Sequence, residues 1–206
     1  MSCEARLGVV LGINLVMVVA LLLVGFFAHS LGVLASGADY LGDAFGAGLA
    51  LLALRLGRGG QGGRATSVAA LVNASLLLAV TLAVIVEAIY RLSTGAPSIH
   101  GVPVVVVSVV AAGAMIACAF ILGDAGGDLG MESVMLDTVA DAAAALGVAV
   151  SGGVILLTGG TYWLDSLVAL VIALVVAFHA IKLLRKVALE LRQRPTSPSP
   201  VGVSER

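Results

Sequence analysis

Apolar residues in this chain fall into six runs, near 7–27, 31–54, 67–91, 103–123, 132–157 and 163–184. Each holds about 20 residues or more, enough for a helix to cross the roughly 30 Å hydrocarbon core of a bilayer. The pattern predicts an all-α polytopic membrane protein with six transmembrane helices. The breaks between runs have turn and loop chemistry. Gly57-Arg58-Gly59-Gly60-Gln61-Gly62-Gly63-Arg64 is flexible and polar, and Gly95-Ala96-Pro97-Ser98 separates the third run from the fourth. Gly123-Asp124-Ala125-Gly126-Gly127-Asp128 divides the fourth from the fifth, and Thr158-Gly159-Gly160-Thr161 is a tight turn before the sixth. Arg6 precedes the first run, as in a signal peptide, but the run exceeds the roughly 7–15 residues of a signal core and no small-x-small cleavage site follows. It reads as a retained helix.

Basic residues give this frame an orientation. In a six-span arrangement Arg6, Arg55, Arg58, Arg64, Lys182, Arg185, Lys186, Arg192, Arg194 and Arg206 lie on one side and Arg91 alone on the other. By the positive-inside rule both termini are cytoplasmic. Residues 1–190 then form one membrane domain, and 191–206, with Pro195-Thr196-Ser197-Pro198-Ser199-Pro200, a disordered cytoplasmic tail.

Composition agrees with a cell-membrane location. Of 206 residues, 60% are hydrophobic and 11% charged, against about 25% charged in a soluble domain. The lipid bilayer is the surrounding partner, and a net charge of −1 points to no nucleic acid. Cys3 and Cys118 lie far apart, with no spacing that suggests a disulfide or zinc framework.

The chemistry lies in two repeats of one pattern, Asp39-x-x-x-Asp43 in the second run and Asp137-x-x-x-Asp141 in the fifth. Residues four apart share a helix face. A carboxylate at bilayer depth costs roughly 2.5–3.5 kcal/mol on insertion scales, so four of them require protons, a cation or a wet cavity. Hard oxygen ligands suit Mg²⁺, Mn²⁺ or Ca²⁺, although Zn²⁺, Fe²⁺ and Co²⁺ also bind carboxylates. Four anions close together cannot all stay ionised without a cation. An empty site holds protons that an arriving metal displaces, the physical basis of metal–proton exchange.

Small residues accompany the carboxylates: Ser36, Gly42 and Gly46 in the second run, Ser133, Gly147 and Ser151 in the fifth. They predict close helix packing beside a polar cavity. Glu87 and Arg91, four apart, are expected to pair at the interface. Asn14 and Asn73 read as helix–helix hydrogen-bonding groups, Asp165 as an interfacial helix-start residue, and His179 as structural. His29 and His100 read as solvated loop histidines, with contact to metal in transit as the alternative.

These motifs resemble the cation diffusion facilitators. The resemblance runs from about residue 7 to 190. It rests on His29-Ser30-Leu31-Gly32-Val33-Leu34 leading into Asp39-x-x-x-Asp43, and on Ala70-Leu71-Val72-Asn73 through Glu87-Ala88-Ile89-Tyr90-Arg91-Leu92. Asp128-Leu129-Gly130-Met131 before Asp137-x-x-x-Asp141, and Tyr162-Trp163-Leu164-Asp165, complete it. The resemblance implies export of a divalent metal in exchange for protons, by a homodimer, with Asp39, Asp43, Asp137 and Asp141 as the metal ligands and no resident cofactor. The all-Asp set resembles manganese- and iron-associated patterns, placing Mn²⁺ or Fe²⁺ ahead of Zn²⁺, Co²⁺ or Cd²⁺. Ser36 stands where an acidic residue is common in that family, and Ala20 where Glu is common. The His-rich loop between the fourth and fifth spans and the cytoplasmic C-terminal domain have no counterpart here, so dimerisation is expected through the membrane helices.

Two alternatives remain. One is a non-transporting regulatory subunit of a metal transporter. The other is a membrane-embedded Mg²⁺-dependent enzyme of the prenyltransferase type, which also pairs Asp-x-x-x-Asp motifs but needs Asn, Lys or Arg to grip a diphosphate. No Lys or Arg lies near either motif in the sequence, so a transporter, not an enzyme, is expected.

Overall fold

In a computed structural model, residues 3–56, 63–123 and 129–193 are described, except for the side chains of 3, 4, 7, 50, 53–56, 63–67, 69, 122–123, 129–139 and 190–193. The described residues form six α-helices: α1 (Cys3–Ala28), α2 (Leu31–Leu56), α3 (Gly63–Thr94), α4 (Gly101–Gly123), α5 (Leu129–Thr158) and α6 (Trp163–Gln193). The shortest has 23 residues and the longest 32, or about 35–48 Å at 1.5 Å per residue. The helices start and stop near the edges of the apolar runs. α6 is the exception: it continues through Lys182, Arg185 and Lys186 to Gln193, well past the end expected near 184. Leaving an apolar environment does not break a helix when the following residues are good helix formers. The remainder of the expected tail, 194–206, lies outside the described residues.

Five helices, α1, α3, α4, α5 and α6, are long and apolar enough to cross a membrane. α2 is long enough, but Asp39 and Asp43 together with Ser36 and its glycines lower its hydropathy. The helix that carries the first aspartate pair has much of this stretch covered by protein: Val33, Ala35, Ala38, Tyr40 and Ala44 are all buried.

The bundle packs most extensively as three pairs, α3 with α6, α4 with α5, and α1 with α2. α2 also touches α3, α6 and, least of all, α5. Lipid-facing positions are large and apolar, among them Val16, Phe26, Phe27, Phe120, Leu157 and Phe178, all exposed. That inversion of a soluble surface is expected where lipid replaces water. Arg6 donates to the carbonyl of Ile121 at 3.3 Å, putting the start of α1 beside the end of α4. The opposite end of the bundle gathers the α1–α2, α3–α4 and α5–α6 turns. There the His100 amide donates to the Ala28 carbonyl at 3.3 Å.

Close packing uses glycines other than most of those expected. A Cβ on Gly152 of α5 would lie 2.8 Å from Val104 of α4, and one on Gly101 would lie 2.8 Å from the Gly152 carbonyl. These contacts explain the intimacy of α4 and α5. Gly42 does pack closely, against Leu77 of α3 at 3.0 Å. Gly46 meets nothing within 4 Å, and Gly147 only an ordinary contact with Val168. At the α5–α6 turn, Gly159 has φ +65° and its amide donates to the Ile155 carbonyl at 2.9 Å. A side chain would strain that conformation.

Candidate metal site

Asp39 and Asp43 lie nine and thirteen residues along from Ser30, which precedes α2. At 1.5 Å per residue they sit roughly 14 and 20 Å from that end of the bundle. Both are half-buried, as is Asp141 of α5. All three line one cavity of about 380 Å³ together with Gly42, Asn73 and Leu77, and with Val176, His179, Ala180, Lys182, Leu183 and Lys186 of α6. Helices α2, α3, α5 and α6 therefore supply its walls. Asp137 lies one turn before Asp141 on α5; its side chain is outside those described. Among the described residues no three His, Cys, Asp or Glu side chains close into a metal cage. The three carboxylates face one cavity.

Tyr40 lies between Asp39 and Asp43 in sequence. This side chain is buried, and its hydroxyl donates to the Ala111 carbonyl of α4. It lies within Coulombic reach of Asp43, Asp141 and Asp39, and the Cys118 thiol lies within reach of Asp43. Tyr40 thus ties α2 to α4 while flanking the charged cavity. Ser36, one turn before Asp39, is buried, and its hydroxyl has no hydrogen-bond partner among the described residues.

The cavity also holds residues that reading along the chain assigned elsewhere. Asn73, buried and expected as a helix–helix hydrogen-bonding group, lines it as well. His179 lines it, where a structural role was expected. Lys182 and Lys186 line it too, so the absence of a cation near the aspartates in sequence does not carry over to the fold. The available signal was a stripe on α6: Val176, His179, Leu183 and Lys186 recur at helical spacing, and a polar face continuing into an apolar helix marks a cavity wall.

Asp165 departs most from expectation. It starts α6, as expected, but it is fully buried. Its carboxylate accepts from the Ser30 hydroxyl at 2.6 Å, the Leu31 amide at 2.7 Å and the Gly32 amide at 3.3 Å. The Ser30 oxygen in turn accepts from the Val33 amide at 3.2 Å. Together they satisfy the open amides at the N-terminus of α2, where a negative charge is favoured by the helix dipole. Nearby, Glu87 and Arg91 pair at 2.8 Å as expected, and Arg91 also donates to the His29 carbonyl at 2.8 Å. Asn14 is buried with no partner for its Oδ1 among the described residues, so the hydrogen-bonding role expected for it is not seen at that atom.

A bundle of membrane-length helices around a half-buried acidic cavity has the construction of an ion carrier. Residues 7–192 match the cation efflux transmembrane domain, and the chain belongs to that family. No curated protein sequence matches the chain significantly. Members of the family are transporters, not enzymes, and the chain is a multi-pass membrane transporter of divalent cations.

Proposed function

We propose that this protein exports a divalent metal ion from the cytoplasm in exchange for protons, with Asp39, Asp43, Asp137 and Asp141 holding the ion. The supporting observation is the shared cavity: Asp39 and Asp43 from α2 and Asp141 from α5 line one space between the helices. Asp137, one turn before Asp141, is the fourth ligand in this reading. Metal binding releases the protons that let neighbouring carboxylates coexist, and protons from the far side return the site to its empty form. Binding near mid-depth with alternating exposure follows general transporter logic.

In this reading all six helices span the membrane and both termini are cytoplasmic. Residues 1–190 are the transport domain, and two copies associate through membrane helices. The oxygen-rich site favours Mn²⁺ or Fe²⁺ over Zn²⁺, Co²⁺ and Cd²⁺. The His179 imidazole in the cavity wall is a softer donor and offsets part of that preference. Lys182 and Lys186, at the end away from Asp165, balance the carboxylates electrostatically when the ion is absent.

The test uses purified protein in proteoliposomes with a trapped pH dye, offered Mn²⁺, Fe²⁺, Zn²⁺, Co²⁺ and Cd²⁺ in turn. Metal entry with opposing proton movement, lost in Asp43→Ala, is the expected result. Unchanged flux in Asp43→Ala or Asp141→Ala would overturn the ligand assignment. No flux of any ion from well-folded protein would favour a regulatory subunit.

A further inference from the structure

The chain has three histidines, and the fold brings two of them side by side although α2 and α3 separate them in sequence. The rings of His29 and His100 have centres 6.4 Å apart and planes inclined by 33°. Both side chains are exposed. They sit on the end of the bundle that carries the buried Asp165, away from Lys182 and Lys186.

Backbone contacts hold both residues in place. α1 ends in a Schellman turn, with the His29 amide on the Phe26 carbonyl at 3.3 Å and the Ser30 amide on the Gly25 carbonyl at 3.0 Å. His29 takes the left-handed position of that turn, with φ 59°, and no other non-glycine residue among those described has a positive φ. Glycine fills such a position at less cost. A strained residue at a ligand-accessible turn is an observation that points toward function. The His29 carbonyl is gripped by Arg91, whose charge is matched by Glu87. The His100 amide donates to the Ala28 carbonyl, so both histidines hang from the same end of α1.

We propose that His29 and His100 form a two-imidazole metal site on this end of the bundle, taking Zn²⁺, Co²⁺, Ni²⁺ or Cu²⁺ with water completing the shell. Imidazole nitrogens lie about 2.0–2.1 Å from zinc, which puts the centres of two rings on one tetrahedral ion roughly 5 Å apart. The observed separation is wider than that, and binding requires the two exposed rings to turn toward a shared ion. Imidazole selects borderline ions, whereas the aspartate cavity selects harder ones. An ion meeting both would pass two filters of different softness at two depths. The site does not depend on the aspartates being the transport ligands.

The test is titration of the purified full-length protein in detergent with Cu²⁺, read by electron paramagnetic resonance for nitrogen coupling. The expected result is a two-nitrogen signal in the native protein, in Asp43→Ala and in His179→Ala. It should fall to one nitrogen or vanish in His29→Gly and in His100→Ala. Glycine suits the left-handed position, so His29→Gly removes the ligand without disturbing the turn. No nitrogen coupling in the native protein, an unchanged signal in the His29→Gly, His100→Ala double variant, or loss of the signal in Asp43→Ala or His179→Ala would overturn the proposal. Absent metal flux in proteoliposomes with the two-nitrogen signal intact would count against the transport reading alone.

Discussion

The same functional group serves two purposes in this bundle. Asp165 is fully buried and surrounded by donors from Ser30, Leu31 and Gly32. Asp39, Asp43 and Asp141 are half-buried and face a cavity that also holds His179 and two lysines. Where backbone amides saturate a carboxylate, it fixes the position of a helix. Where the cavity leaves room around it, it can exchange partners. What separates the two cases is enclosure: Asp165 is fully buried, whereas Asp39, Asp43 and Asp141 open onto a cavity.

Substitutions can pull the two regions apart. The largest effect on transport is expected at the cavity: Asp43→Ala should abolish metal flux while moving the melting temperature of the detergent-solubilised protein little. Asp165→Ala should do the reverse. It leaves buried amides at the start of α2 without an acceptor, at about 3 kcal/mol or more. A large fall in melting temperature and poor recovery of folded protein would follow, and Asp165→Asn should retain part of the stability because its amide oxygen still accepts. Wild-type melting of Asp165→Ala would break the comparison.

A smaller effect sharpens it. A Cβ on Gly32 would meet Asp165 Oδ1 at 2.9 Å and Val148 at 3.2 Å, so Gly32→Ala should cost about 1–3 kcal/mol by overpacking. Gly46→Ala, with open space around it, should be neutral or stabilise by up to about 1 kcal/mol through helix propensity. Thermal unfolding of the pair measures the contrast. Least of all, Lys182→Ala and Lys186→Ala should each tighten metal binding roughly two- to fivefold, since solvent-accessible charges interact weakly. A metal titration at low and high salt checks this, and the difference should shrink as salt rises.

Much of the frame was legible along the chain because a bilayer imposes a simple rule. Apolar runs of helical length mark the helices, and Gly95, Gly159 and their neighbours mark the turns. The Glu87–Arg91 pair was legible because helical spacing makes it local. Asp165 was not: its partners come from Ser30 to Gly32, at the other end of the sequence, and a polar residue at a helix start looks interfacial whether it faces headgroups or protein. His179 and the lysines were missed for a related reason. Only the packing of α6 against α2 and α3 turns their face toward the aspartates. The end of α6 was missed because hydropathy reports where a helix leaves lipid, not where it stops being a helix.

The way the helices are paired has a mechanical consequence. α2 is fastened to α1 and α5 to α4, yet α2 and α5 touch each other far less than either touches its partner. The two aspartate pairs are therefore mounted on separately anchored supports. Stiffness between them runs around the bundle, through α1 and α4, more than across the gap. Widening or narrowing that gap disrupts less packing than parting either helix from its support.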